Sequence, residues 1–332
     1  FFRQALDISR KAAPGGTFEA QLLQNLGIVA AERGDLAKAE WYYNQSTSVF
    51  EQLVPGSLDL ANALNNEAIV AHDQGDLQRS EQLHLRTLAI REKLAPDSLD
   101  LAHTLNNLGA VFYDQKDFSR SADYHRRAMV IREKVAPGGL EMAESLANLG
   151  SVADQQSDLT GAENYYRRSL ELFRRQSVNS VDVSFILLDL GDLAVKRWRP
   201  DAAEALFQEA LAIQKRLAPE SWAEAKTLHA LGRLARERGQ FEKAFQYFVQ
   251  AVQALESQKG KLGGGKRTQE VFATRFADFY RDLVDVAIRL RRKTEAFYYL
   301  EKFRGQVLLR MMAERDLSFS LDAPSELIAD EK

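Results

Sequence analysis

The sequence of 332 residues contains no cysteine and no long apolar run. Without cysteine, these residues hold no disulfide framework, no thiolate metal site and no cysteine nucleophile. This composition suits a reducing compartment, and we predict a cytoplasmic protein. No apolar run approaches the ~18–20 residues that a membrane-spanning helix needs, so we expect no membrane partner. The net charge of −3 is small and gives no indication of a nucleic-acid-binding protein.

Proline is scarce, with seven residues in the chain, and five of them share one period of 41 residues. The position that would complete the series, 178, is valine. A second series with the same step consists of small residues inside apolar stretches. We call each such series a column. A period of this size indicates a stack of repeated units rather than one globular core. The two columns are Pro14, Pro55, Pro96, Pro137 and Pro219, and Gly27, Ala68, Gly109, Gly150, Gly191 and Gly232.

Each unit is predicted to form a helical hairpin. In unit three, Leu105, Leu108 and Phe112 recur at spacings of three and four residues, which is typical of one face of an amphipathic helix. A short polar break precedes a second apolar pattern, which Pro137 and the two glycines after it should end. Ser98 is expected to cap a first helix. Units one to six are 17–57, 58–98, 99–139, 140–180, 181–221 and 222–257.

The glycines of the small-residue column need a compensating contact. Glycine in the middle of a helix costs roughly 1 kcal/mol relative to alanine. We expect the missing side chain to let the two helices of a hairpin approach closely. Two columns of the second helix repeat in the same way. They are Ala39, Ser80, Ser121, Ala162, Ala203 and Ala244, and the ring column Tyr43, His84, His125, Tyr166, Phe207 and Phe248.

These columns resemble the tetratricopeptide repeat, which places a small residue in its first helix, small and aromatic residues in its second, and a closing proline. The resemblance covers about 17–257 and implies an all-α, right-handed solenoid of about seven helical hairpins, 1–257 forming the repeat domain. It also implies protein recognition without catalysis. The unit is longer than the usual ~34 residues. Its LNNLG sequence at Leu105–Gly109 resembles the long repeats of kinesin light chains and bacterial regulatory proteins. Unit five departs from the pattern at Arg197–Pro200.

Residues 258–268 are rich in glycine and lysine, and we predict a loop there. They contain a near-match to a phosphate-binding loop, with Gly260 followed after four residues by Gly265 and Lys266. Arg267 stands where serine or threonine would bind magnesium, and the segment follows a helix rather than a buried strand. We therefore predict a tether and no nucleotide site.

Residues 269–317 are predicted to form a long terminal helical hairpin. Its pattern at Ala296-Phe297, Glu301-Lys302, Arg304 and Leu308–Glu314 resembles the segment that joins such repeats to CHAT domains, which are caspase-like cysteine proteases found mostly in bacteria. The resemblance implies that this chain is the recognition and regulatory arm of a bacterial protease, with a covalently linked CHAT domain as a partner. A free-standing adaptor is the alternative.

Both ends of the chain indicate a fragment of a longer protein. The chain begins at Phe1 rather than at methionine, and residues 1–16 read as the second helix of an earlier, truncated unit. Residues 318–332 read as a linker or a strap. The catalytic His and Cys of a CHAT domain would lie beyond Lys332.

No group of residues in the sequence has the pattern of a catalytic or metal site. The five histidines form no HExxH pair. His84 and His125 belong to the ring column and are interpreted as packing residues. Glutamate and lysine four residues apart on a helix are typical of solvated pairs. We predict no enzyme activity, no metal and no cofactor for this chain.

A groove is the better candidate for function. In solenoids of this family the first helices line the concave face, at positions three and two residues before the small-residue column and one and four after it. Units two to four place asparagines there, and their amides can hold the backbone of an extended peptide. The alternative is that the asparagines bond across neighbouring units and bind nothing. The candidate groove residues are Asn65, Asn66, His72, Asn106, Asn107, Tyr113, Asn148 and Asp154.

Unit six carries a basic patch on its first helix instead. An acidic peptide, the acidic face of a partner or RNA would fit such a patch. The alternative is an internal pairing with Asp189 and Asp192 of unit five. No stacking aromatic residues are interleaved with the patch, so the sequence favours a protein partner over a nucleic acid. The patch residues are Lys226, His229, Arg233 and Arg236.

Overall fold

The computed structural model describes residues 2–12, 14–176, 180–261 and 266–314, and within these ranges every regular element is an α-helix. The predicted all-α helical-hairpin class is therefore confirmed. The helices are α1 Phe2–Ala12, α2 Thr17–Glu32, α3 Leu36–Leu53, α4 Leu58–Asp73, α5 Leu77–Leu94, α6 Leu99–Asp114, α7 Phe118–Val135, α8 Leu140–Gln155, α9 Leu159–Gln176, α10 Val181–Lys196, α11 Pro200–Leu217, α12 Trp222–Glu237, α13 Phe241–Lys261, α14 Lys266–Arg289 and α15 Lys293–Glu314.

The helix bounds follow the period of the sequence. Each first helix from α2 to α12 has 16 residues, and each second helix from α3 to α11 has 18. Unit five keeps this register although its turn differs, because Pro200 is the first residue of α11, a position that proline favours. The irregular position 178 lies outside the described residues.

Side-chain caps mark where several helices start, although α2 and α8 begin after a glycine without such a cap. Ser98 accepts a hydrogen bond from the backbone N–H of Leu101, as predicted, and Ser57 does the same for Leu60. The second helices α3, α5 and α7 use aspartate instead, and Asp117 accepts from the N–H of Arg120. Each such cap is worth about 1 kcal/mol, so the repeated turns are locally specified.

The ring column accounts for the glycines. A Cβ added at Gly109 would lie 2.5 Å from Cε1 of His125, and one at Gly191 would lie 2.3 Å from Cε1 of Phe207. These distances are far below van der Waals contact. The close approach predicted within each hairpin is therefore made by an aromatic ring of the second helix, which lies directly on the glycine of the first.

The chain divides into two compact bodies, 1–213 and 214–332. In the first body, the helices of each hairpin pack together, and each second helix packs on the next first helix. In the second body, α12 packs on α13, and α14 packs on α15. Helix α13 extends to Lys261 and α14 starts at Lys266, so helix occupies much of the predicted 258–268 loop. A helical glycine costs only ~1 kcal/mol, too little to end α13. Residues 262–265 lie outside the described residues.

Two arginines are buried in the first body, which the sequence did not reveal. Arg91 and Arg132 are 4% and 1% exposed. Arg91 Nη1 donates to Thr104 Oγ1 at 2.6 Å, and Arg132 Nη1 donates to Ser145 Oγ at 2.7 Å. Burial lowers the pKa of both guanidinium groups, although nearby carboxylates oppose the shift. Each arginine ties the second helix of its unit to the first helix of the next.

Candidate functional site

The predicted groove residues lie on the first helices α4, α6 and α8. The asparagines three and two residues before the small-residue column are half-buried, and so are His72, Tyr113 and Asp154, which lie four residues after it. Their side chains border on the apolar core without being enclosed by it. The equal spacing of the units therefore presents similar polar groups at regular steps along the first helices.

Asn106 and Asn148 bond to each other across neighbouring units. Asn148 Nδ2 donates to Asn106 Oδ1 at 2.9 Å, and Nδ1 of His125 lies 3.1 Å from the same oxygen. Since a carboxamide oxygen only accepts, this contact requires the His125 tautomer that carries its proton on Nδ1. Asn106 and Asn148 therefore match the alternative interpretation, in which the asparagines bond across neighbouring units.

The other three asparagines lack such partners. In the part of the chain that the structure describes, the side chains of Asn66 and Asn107 make no hydrogen bond. Oδ1 of Asn65 is buried and also has no hydrogen-bond partner. A buried acceptor without a donor costs about 1–3 kcal/mol. Asn66 and Asn107 are therefore available to a ligand, whereas Oδ1 of Asn65 is enclosed by the protein.

A second row of contacts runs along the ends of the first helices. His72 Nε2 lies 2.8 Å from Asp114 Oδ2, and Lys196 Nζ lies 2.6 Å from Asp154 Oδ2. Burial raises the pKa of Tyr113, and the carboxylates of Asp154, Asp189 and Asp114 add to the shift against a hydrogen bond with Gln155. Three carboxylates therefore lie near Tyr113, and two of them contact Lys196 and His72.

Asp114 and Lys196 are site residues that the sequence reading missed. The pairs His72–Asp114, Asn106–Asn148 and Asp154–Lys196 are all separated by 42 residues, one more than the repeat. A search for complementary side chains at that separation would have found them. The inward face is thus partly bonded from unit to unit and partly open.

The basic patch of the second body is partly neutralised by a carboxylate of α14. Arg236 Nη1 donates to Asp282 Oδ1 at 2.7 Å. His229 Nε2 lies 2.9 Å from Asp282 Oδ2. The ring of Phe279 stacks on His229 at 4.1 Å between centroids. Lys226 and Arg233 remain exposed, so only half of the predicted patch faces solvent freely.

Asp282→Asn should lower the free energy of unfolding by about 1–2 kcal/mol at neutral pH. Burial opposes ionisation of Asp282, but the contacts with His229 and Arg236 outweigh it and lower the pKa to about 2. Since the folded pKa lies below the unfolded one, this stabilisation is present above pH ~4 and is lost as the pH falls toward 2. Chemical denaturation measures the change.

Asp278→Asn is the matched control, because Asp278 pairs with Arg281 one turn away and its side chain is 62% exposed. Such a surface pair is worth well under 1 kcal/mol. Equal losses for the two variants would contradict the assigned role of Asp282.

The described residues hold no cluster of three or more histidine, aspartate or glutamate side chains that could bind a metal ion. None of the helices described is long and apolar enough to cross a membrane. The groove contacts above are hydrogen bonds and ion pairs between side chains of neighbouring units.

The sequence profile of the tetratricopeptide repeat family matches residues 59–134, 141–216 and 182–257. No curated protein is significantly similar in sequence to the chain. Several solved structures share the fold at identities too low to show more than the fold. The apo form of RapI is 18% identical with a TM-score of 0.64, and the match covers 86% of this chain and 99% of RapI.

Two further structures match in the same way. A Rap protein complexed with competence and sporulation factor is 13% identical, with a TM-score of 0.59, over 94% of this chain and 86% of that one. The TPR-like repeats of a putative kinesin light chain from Podosopora anserina are 12% identical, with a TM-score of 0.53, over 61% of this chain and 98% of that one. The predicted likeness to kinesin-light-chain repeats is confirmed at the level of fold.

Proposed function

Because this chain belongs to the tetratricopeptide repeat family, we propose that it is a protein-recognition scaffold that holds an extended peptide along the first helices of units two to four. The binding surface is the set of inward residues of α4, α6 and α8. The partner is a peptide segment of another protein, and a cytoplasmic location belongs to the same proposal.

The observation that carries the proposal is the pair of half-buried amides without internal partners. Asn66 and Asn107 occupy the same position in consecutive units. Each amide offers donors and an acceptor, and an extended peptide presents N–H and C=O groups in alternation along its backbone. Amides that repeat from unit to unit can therefore bind a peptide backbone without recognising most of the peptide's side chains.

A related structure supports the use of this fold for ligand binding. The Rap protein described above is complexed with competence and sporulation factor. Its low identity to this chain transfers no residue roles. It supports only the inference that a solenoid of this architecture can hold a smaller partner.

Asn66→Ala combined with Asn107→Ala should weaken binding of a selected peptide at least tenfold, because two amide contacts worth about 1 kcal/mol each are lost. Short random peptides displayed on phage supply the ligand, and titration calorimetry measures its affinity. Gln78→Ala combined with Ser119→Ala, at exposed positions on second helices, is the control. Unchanged affinity in a folded groove variant would remove the peptide site.

The regulatory arm of a CHAT-type protease is a second, finer proposal. It is supported by the resemblance over 267–317, and α14 and α15 form a hairpin there. That hairpin exposes apolar side chains that a following domain would cover. They are Ile288, Phe297, Tyr298 and Leu300, exposed by 62%, 65%, 55% and 42%.

Reading the gene downstream of residue 332 tests this second proposal. A continuing frame that encodes a caspase-like His and Cys would support it, and a frame without them would remove it.

RNA binding through unit six is the less favoured alternative, because Asp282 pairs with two of the four patch residues. RNA binding would have to show a steep salt dependence.

A further inference from the structure

A cavity of about 180 Å³ opens between the second helices of units four and five. Its floor is apolar and comes from α10, with Leu187, Leu190 and Leu193, while Leu170 and Leu206 line its sides. The inward-facing positions of a first helix lie three and two residues before the small-residue column and one and four after it. None of these α10 residues occupies such a position relative to Gly191. The cavity is therefore separate from the groove proposed above, and it faces the opposite side of the first helix.

The corresponding space in unit three is filled. There Phe112 and Tyr124 stack with ring centroids 5.3 Å apart, and the guanidinium of Arg120 lies 4.1 Å above the Phe112 ring. Two repeats later, the equivalent positions are Ala194, Leu206 and Ala202, which all line the cavity. The cavity thus arises from three smaller side chains in an otherwise preserved framework.

The rim of the cavity is positively charged. It contains four arginines and two glutamates. Glu163 is shared by several of the arginines, since Arg167 pairs with it at 2.8 Å, Arg197 also contacts it, and Arg199 lies 4.0 Å away. The hydrogen bond from Arg167 is the largest cause of the lowered pKa of Glu163. Arg174 pairs with Glu209, and Glu163 alone cannot neutralise the other three guanidinium groups.

This charge is absent two repeats earlier. The positions of Arg174, Arg197 and Arg199 correspond to Glu92 in unit two and to Gln115 and Asp117 in unit three. The change turns an acidic rim into a basic one. Side chains of Arg167, Arg174 and Arg199 remain 68%, 45% and 58% exposed, so an incoming anion can reach them.

An exposed tryptophan stands beside the cavity. Trp198 is 91% exposed and adopts a left-handed φ of 56° between the rim residues Arg197 and Arg199. Units one, two and six place glycine in this turn position, with φ of 74° at Gly34, 76° at Gly75 and 72° at Gly239, and units three and four place the polar residues Lys116 and Ser157 there with φ of 63°. A bulky aromatic residue in a strained, solvated position has no role in packing its own unit. Tryptophan is also enriched where proteins bind one another.

We propose that the cavity and Trp198 form a second docking site, which binds an acidic peptide segment of a partner protein. A leucine or phenylalanine side chain of the segment enters the apolar cavity. Flanking aspartate or glutamate residues pair with the arginines of the rim, and Trp198 covers the peptide from the outside. The site does not depend on the groove of units two to four.

Selection of short random peptides displayed on phage tests the site. Peptides with a leucine or phenylalanine between acidic residues should be enriched on the wild-type protein. One of them, made synthetically, should bind at least tenfold more weakly to Ala194→Phe combined with Leu206→Tyr, which rebuilds the filled arrangement of unit three. Asn66→Ala combined with Asn107→Ala should leave its affinity unchanged, which separates this site from the groove.

Two other variants keep the test decisive if the filled variant does not fold. Arg197→Gln combined with Arg199→Asp restores the residue types of unit three and should abolish binding of the acidic peptide. Trp198→Gly should raise the unfolding temperature, because glycine suits a positive φ, and yet weaken binding severalfold. Lack of enrichment of such peptides, or equal binding by the wild type and the folded variants, would overturn the proposal.

Discussion

Gly191→Ala should lower the free energy of unfolding by about 1–3 kcal/mol, although alanine is the better helix former. The added Cβ would lie 2.3 Å from Cε1 of Phe207, whose ring is fully buried. The ring cannot move without disturbing the neighbouring core. Chemical denaturation at neutral pH measures the change.

Gly305→Ala is the control with the opposite expected sign. Gly305 lies within α15 and has no atom within 4 Å of an added Cβ, so the substitution should stabilise the protein by up to about 1 kcal/mol. Gly109→Ala should change the free energy of unfolding by an intermediate amount. Unit two already accommodates an alanine, Ala68, together with a histidine of the ring column. Equal effects at Gly191 and Gly305 would mean that the ring column does not require glycine.

Acidification from pH 6.5 to about 4 should destabilise the protein steeply. His84 and His125 are only 1% and 2% exposed. Burial lowers the pKa of His84 to about 3 and that of His125 to about 4, with smaller contributions from nearby positive groups. The folded state therefore binds fewer protons than the unfolded state over this range. Each histidine should therefore lower the free energy of unfolding by up to about 1.4 kcal/mol for each pH unit of acidification.

His125→Phe tests the origin of this slope. It reproduces the glycine–phenylalanine pair of Gly191 and Phe207, so the fold should tolerate it, and the loss of stability per pH unit should decrease by about half. Ser121→Ala removes the buried hydrogen bond from Ser121 Oγ to the carbonyl of Gly109. That control should lower stability at every pH without changing the slope. An unchanged slope for His125→Phe would show that other groups control the acid response.

The regular part of the fold could be predicted because each unit repeats its local signals. The proline column lies two residues after the ends of α3, α5, α7 and α11, and Ser98 caps the helix that it was expected to cap. The terminal loop was placed less well, since α13 continues to Lys261 through residues of weak helical preference.

Contacts between units were harder to predict than the units themselves. Arg132 is 1% exposed, whereas arginine is usually at the surface. Its column contains Phe50 and Phe173 as well as Arg91, which was the available signal for burial. Likewise, the partner of His229 is Asp282 in a hairpin outside the regular repeat, where no fixed spacing could indicate it.

The candidate groove was predicted as a set of positions, and the structure separates those positions by their contacts. Asn106 and Asn148 bond to each other, whereas Asn66 and Asn107 have no hydrogen bond within the described ranges. The cavity of unit five was not predicted, because it depends on the sizes of Ala194 and Leu206 relative to their counterparts in another unit. A repeat alignment shows such differences only when side-chain volume is compared column by column.

The affinity of a peptide selected on the groove, compared with that of the same peptide carrying N-methylated backbone amides, tests the central proposal most directly. If the asparagines of α4 and α6 hold the peptide backbone, methylation should weaken binding at least tenfold, and alanine replacement of single peptide side chains should weaken it less. Methylated and unmethylated peptides that bind equally well would contradict backbone recognition by Asn66 and Asn107.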